Sequence, residues 1–185
     1  MLAGYAIVLL TISGFAGSGK TTVARGLSRK FGYAHVSAGD AFRELARERA
    51  MSLEQLSTLA ETEPEIDNMV DRRQAELAQS CEHAVVDGRL SGWILKADIA
   101  VWLKASLEVR AERIARREGK LKEAALNETR LRDNSETVRY STFYDIDVMT
   151  LDIYDLVIDT THWNQHAVIA IIAQAVESYR KVGKR

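Results

Sequence analysis

Gly14-Phe15-Ala16-Gly17-Ser18-Gly19-Lys20-Thr21 is the stretch that decides the fold. An apolar run, Tyr5 to Ile12, precedes it, and a helix-like segment, Thr22 to Phe31, follows. Strand, glycine-rich loop and helix come in that order, and the loop fits G-x-x-x-x-G-K-[ST] at every fixed position. Glycines let the backbone curl so that successive N–H groups, from Gly14 to Thr22, point inward at phosphate oxygens. The positive end of the following helix adds to that field. The spacing carries Lys20 to the β- and γ-phosphates of a nucleoside triphosphate and the Thr21 hydroxyl to its Mg²⁺.

The rest of the composition agrees with a globular chain built around such a site. The 185 residues are 46% hydrophobic and 28% charged, with a formal net charge of −1, which predicts one domain with a full core. Near-neutrality argues against a dedicated nucleic-acid or membrane-surface binder, since both carry a large basic excess. The single cysteine, Cys81, excludes an internal disulfide framework and fits a reducing, cytoplasmic setting. The apolar start has no basic n-region and runs straight into the loop, so it reads as a buried first strand rather than a leader.

Further along, Tyr33 to Ser37 (YAHVS) reads as a second strand that delivers Ser37-Ala38-Gly39-Asp40 at its carboxyl end, with a helix from about Ala41. Ligands of open parallel sheets sit outside those ends, so Ser37, Asp40 and Arg43 are candidates to meet a second substrate. Asp40 as a helix cap and Arg43 as a solvated charge is the competing account. Met51 to Gln79 reads as helical, with capping-box spacing at Ser52 and Gln55 and a new start at Pro64. A helical lobe over 38–82 is expected, with Asp67, Asp71, Arg72 and Gln74 available to meet a base. Ala84-Val85-Val86 forms a third strand ending in Asp87-Gly88-Arg89, where the carboxylate suits Mg²⁺ and the guanidinium suits phosphate. Asp98 to Lys104 and Asp155 to Asp159 complete a sheet of five, closed by a helix over Gln165 to Arg180. Between them, 110–140 carries Arg113, Arg117, Arg132, Glu136 and Arg139, with a hinge expected from Gly119 to Glu128. The loop from Thr160 to Asn164 is a candidate edge of the purine pocket, and His162 and His166 read as surface residues.

The expected architecture is therefore α/β, a phosphate-loop (P-loop) NTPase sheet of five parallel strands with helices on both faces, a small helical insertion and a short lid. Arg43, Arg89, Arg113, Arg117 and Arg139 are read as facing one sheet edge. One triphosphate needs fewer cations than that, whereas two phosphate-bearing substrates need about that many. Phosphoryl transfer is catalysed chiefly by positioning and charge stabilisation, and no Ser-His or Cys-His nucleophile is required.

The phosphate loop, Ser-Ala-Gly-Asp-x-Phe-Arg, Asp-Gly-Arg, Glu-Arg-Ile-Ala-Arg-Arg and Arg-Asp-x5-Arg occur in the order found in nucleoside monophosphate kinases. Within them the chain most resembles the short archaeal-type cytidylate kinases, over essentially its whole length. That resemblance implies transfer from ATP to CMP or dCMP with Mg²⁺, by a monomer that uses no nucleic acid or membrane. It implies that Arg43 and Arg89 grip the monophosphate, with Ser37, Asp40, Arg72 and Glu136 nearby. It also implies that Arg113 and Arg117 are lid arginines, and that Arg132 and Arg139 close on the transferring phosphate. Leu90 stands where bacterial relatives carry an acidic residue, and Glu136 stands where they carry aspartate. An adenylate or other small-metabolite kinase, and a nucleotide-dependent assembly ATPase, are the competing functions.

Overall fold

The computed structural model describes residues 8–182; Tyr5 to Ile7 of the expected first strand lie outside that range. Five strands, β1 (Leu9–Ser13), β2 (Ala34–Ser37), β3 (Ala84–Asp87), β4 (Ile99–Lys104) and β5 (Leu156–Asp159), form one sheet in the order β2-β3-β1-β4-β5. Every pairing is parallel. The helices are α1 (Lys20–Phe31), α2 (Ala38–Glu48), α3 (Leu53–Ala60), α4 (Pro64–Gln79), α5 (Ser91–Ile94), α6 (Leu107–Glu118), α7 (Lys122–Tyr144) and α8 (Gln165–Val182).

A parallel sheet must be covered on both faces, and alternation along β3 shows how. Val85 joins Leu10, Ile12 and Val101 against α1 and α8, whose Val23, Ala24, Leu27, Val168, Ile172 and Val176 are buried there. Ala84 and Val86 face the other way, with Val36, Ala78 and Leu95. The lobe has a separate small core of Ala41, Leu45, Leu56, Ala60, Ile66 and Val70. It is built by α2, α3 and α4 rather than by one continuous helical run. Ser52 and Gln55 close the capping box of α3, and Pro64 opens α4.

Two local expectations are corrected. Ser37, not Asp40, caps α2: its hydroxyl accepts from the Asp40 N–H at 3.4 Å, so the helix starts three residues earlier than the pattern implied. The polar stretch after Gly119 is not a loop. Gly119 ends α6 in a left-handed conformation, φ 66°, and α7 begins at Lys122, so a tight turn joins the two helices. Lys120 bonds Glu128 at 2.6 Å, and such charges satisfy a helix surface as well as a hinge.

Candidate active site

The order β2-β3-β1 puts the carboxyl ends of three strands side by side, and register brings Ile12 beside Asp87 and Asp87 beside Ser37. The phosphate loop rises from β1, the middle strand of the five, where the chain reverses its winding direction. Its glycines are required by geometry. Gly14 has φ 142°, and a Cβ there would collide with the Leu103 carbonyl; Gly17 has φ 79°, and its Cβ would lie 2.6 Å from the Arg110 carbonyl. Such conformations and approaches admit little else. Ser18 N–H closes the turn onto the Phe15 carbonyl at 3.2 Å. Lys20 folds back over the loop, and its Nζ donates to the Phe15 carbonyl at 3.0 Å. Burial, then the Arg89 charge, push the Lys20 ammonium down to about 7, against the opposing pull of Asp87 and Glu136.

On the other side of the loop, Asp87 is buried with both oxygens engaged. Oδ2 accepts from the Thr21 hydroxyl at 2.7 Å, and Oδ1 lies 2.6 Å from His35 Nε2. Thr21 and Asp87 thus present hard oxygens beside the triphosphate cradle. That set suits Mg²⁺, which keeps water and phosphate oxygens as its other ligands. His35 was not foreseen. The signal available was a polar ring in the otherwise apolar YAHVS strand, two residues before Ser37 and so on the same side of the sheet.

Arg89 leaves the end of β3 and stacks on the loop itself, its guanidinium carbon 4.7 Å from the centre of the Phe15 ring. The buried Arg110 lies over the same ring at 5.3 Å and donates to the carbonyls of Ala16 and Ala105, both at 3.1 Å. Asp133 joins the two cations, 2.7 Å from Arg110 and 3.4 Å from Arg89. Glu136, one turn along α7, pairs with Arg89 and takes Arg132 Nε at 2.7 Å. Burial alone would raise the Glu136 carboxyl, but Arg89, then Arg132 and Arg139, hold it at about 2. Charges buried this deeply persist only when paired. The role of Arg110 and Asp133 as the link between loop and cation cluster was not legible in a charge run that reads equally well as a solvated face.

The remaining candidates divide. Arg139 is buried but turned to the lobe, 3.2 Å from Asp67 and 3.4 Å from the Ser57 carbonyl. Arg113 spans the loop and the β5 end, donating to Thr160 Oγ1 at 2.9 Å, to its carbonyl at 2.6 Å and to the Gly17 carbonyl at 3.4 Å. Thr160 is also tied to the Ser18 carbonyl at 3.0 Å, so the start of the 160–164 loop adjoins the phosphate cradle. Asp40 and Arg43 pair with each other on the exposed start of α2. The expectation that Arg72 and Arg117 share the cleft is not met: Arg72 lies exposed, 3.9 Å from Glu65, and Arg117 lies exposed against Glu118 at 2.6 Å. The cause is helical phase, since Asp67 and Asp71 take the inner side of α4 and leave Arg72 outside. Asp71 accepts from the Tyr144 hydroxyl at 2.8 Å, and Gln74 is committed to the Asp87 carbonyl and the Ser91 hydroxyl.

The chain is similar to known proteins in both sequence and fold. Two cytidylate kinases, from Pyrococcus abyssi and Methanocella arvoryzae, are 48% and 45% identical over 177 and 174 residues. The matches cover 95% and 94% of this chain, and 97% and 99% of theirs. Among solved structures, a shikimate kinase from Acinetobacter baumannii bound to shikimate superposes with a TM-score of 0.61 at 18% identity, over 93% of this chain and 94% of that one. An uncharacterised protein from Eubacterium ventriosum does so at 0.67 and 19%, over 92% and 99%. At those identities the structural likeness establishes the fold alone. The profile of the cytidylate kinase-like family matches residues 9–162, and together with the identities to curated members this shows that the chain belongs to that family.

Proposed function

We propose that the protein transfers the γ-phosphoryl group of ATP to CMP or dCMP, yielding ADP and CDP or dCDP, and that it does so with Mg²⁺ as a cytoplasmic monomer. The observation that carries this reading is Arg89, a second phosphate-seeking cation stacked directly on the loop that would hold the first phosphate. A switch or assembly ATPase needs no such group. The kinship with cytidylate kinases favours a pyrimidine monophosphate over AMP or shikimate as the acceptor.

Residues 14–22 would hold ATP, with Lys20 released from the Phe15 carbonyl to the β- and γ-phosphates. Thr21 and Asp87 would hold the Mg²⁺, which when bound neutralises charge on the β- and γ-oxygens. The lobe over 38–82 would receive the monophosphate, with Ser37, Asp40 and Arg43 at its entrance. Arg89 exchanges Glu136 for the acceptor phosphate. An acceptor phosphate is largely ionised at neutral pH, so its oxygen attacks the γ-phosphorus without a general base, while the bond to ADP breaks in line. Lys20, Arg89 and Arg132 then stabilise charge on the equatorial oxygens. The α6–α7 pair over 110–140 would act as the lid. Its contacts with the lobe, Arg139 to Asp67, Ser135 to Glu61 at 2.7 Å and Tyr144 to Asp71, support that reading. Asp67 and Asp71 are acceptors of the kind cytosine's amino group requires.

The decisive assay measures nucleoside diphosphate formed from CMP, dCMP, UMP and AMP with ATP and Mg²⁺. CMP or dCMP should give the highest kcat/KM. Preference for AMP would overturn the substrate, and ATP hydrolysis unaffected by any acceptor would overturn the transferase. Lys20→Ala should lower kcat by at least about a thousandfold with an unchanged circular dichroism spectrum.

A further inference from the structure

We propose that His35 is a positioning residue for the metal side of the donor site: its Nε2 holds the Asp87 carboxylate so that the Thr21 hydroxyl turns its lone pairs toward the nucleotide's Mg²⁺. The proposal rests on reading Thr21 and Asp87 as the Mg²⁺ side of an ATP site. It is independent of which monophosphate accepts.

Three side chains from three elements form one chain of hydrogen bonds. His35 on β2 reaches across to Asp87 at the end of β3, and Asp87 reaches Thr21 in the first turn of α1, at 2.6 and 2.7 Å. An ionised carboxylate only accepts, so both partners donate to it. The imidazole therefore carries its proton on Nε2. The single hydroxyl proton of Thr21 is directed at Asp87 Oδ2, which leaves its acceptor lone pairs for a cation. Such an arrangement depends on the carboxylate plane, because the terminal torsion of aspartate is broad and soft.

His35 removes that freedom. The Asp87 side chain is only 4% exposed and that of His35 17%, so water is a poor substitute for the ring N–H. Without this donor, Oδ1 would be a buried acceptor lacking a partner. The carboxylate would then rotate to recover a bond, and Thr21 would lose its fixed hydroxyl direction. His35 sits in a four-residue strand whose neighbour Val36 is buried in the sheet core. Partners that orient a metal's ligands typically contribute 10–100-fold in metal affinity.

The test compares binding of a non-hydrolysable ATP analogue with Mg²⁺ and with EDTA, by titration calorimetry. For the wild type, Mg²⁺ should tighten binding. His35→Phe keeps the ring but has no donor, and the Mg²⁺-dependent gain should fall by roughly 10-fold or more. His35→Gln, whose amide N–H can reach the same oxygen, should restore most of the gain. If the phenylalanine variant does not fold, His35→Leu takes its place, judged by the same ratio. A lowered melting temperature with an unchanged Mg²⁺/EDTA affinity ratio would reduce His35 to a structural residue and overturn the proposal. A wild type that binds the analogue equally with and without Mg²⁺ would remove the metal from Thr21 and Asp87, and the proposal with it. That outcome would leave the acceptor assay untouched.

Discussion

Replacing Glu136 by glutamine removes the charge that Arg89 and Arg132 share, while preserving the size of the side chain. The carboxyl of Glu136 is held at about 2 instead of 4.5, despite burial that works the other way. At 1.36 kcal/mol per tenfold change in proton affinity, that corresponds to about 3 kcal/mol of stability at neutral pH. For a domain of this size the melting temperature should fall by roughly 6–12 °C. The sign also fixes the pH dependence. The folded state binds this proton more weakly than the unfolded chain, so the contribution is complete above about 4.5 and is lost as pH falls toward 2. The gap between wild type and Glu136→Gln, measured by urea unfolding of the unliganded proteins, should therefore be full at pH 7. By about pH 3 it should shrink to less than half. A gap that stays constant over this interval would refute the reasoning, since the effect would then come from packing rather than from charge. Saturating ATP and CMP should narrow the gap at pH 7, because substrate phosphates supply the anions that Arg89 and Arg132 have lost.

The two remaining predictions also turn on protonation. Lys20 sits at about 7 in the free protein, and phosphates should pull it back toward its ordinary range. ATP binding near pH 8 should therefore take up close to one proton, read from calorimetry in two buffers of different ionisation enthalpy; no buffer dependence would place Lys20 away from the phosphates. Asp71 is pushed up to about 7 by burial, against the Tyr144 hydrogen bond. Its folded form holds a proton that the unfolded chain releases near 4, so this residue costs the wild type stability as pH rises from 4 to 7. Asp71→Asn should flatten that decline, and an unchanged pH slope in its thermal unfolding would contradict the assignment.

Much of the molecule can be read from the chain because the deciding signals are local. The phosphate loop needs consecutive residues of given types, β-rich runs alternate with helical ones, and Asp87-Gly88-Arg89 follows its strand directly. The cap at Ser52 and the helix start at Pro64 are likewise a matter of a few neighbours. The hinge expected after Gly119 failed for the same reason: polarity describes a solvated helix face and a loop equally well, and only packing chooses between them.

What the amino-acid order determined by itself was the α/β class, the triphosphate cradle and the kind of chemistry, because each depends on spacing within a few residues. Which arginines share a cleft was decided only by tertiary structure. Helical phase sent Arg72 and Arg117 outward and turned Arg139 to Asp67, while the end of β3 and the start of α6 seated Arg89 and Arg110 on either side of Asp133. The chain of His35, Asp87 and Thr21 likewise exists only because crossovers lay β2 beside β3 and α1 over their ends. A charge in sequence carries no direction, and a buried one keeps its charge only where the fold supplies a partner from far along the chain.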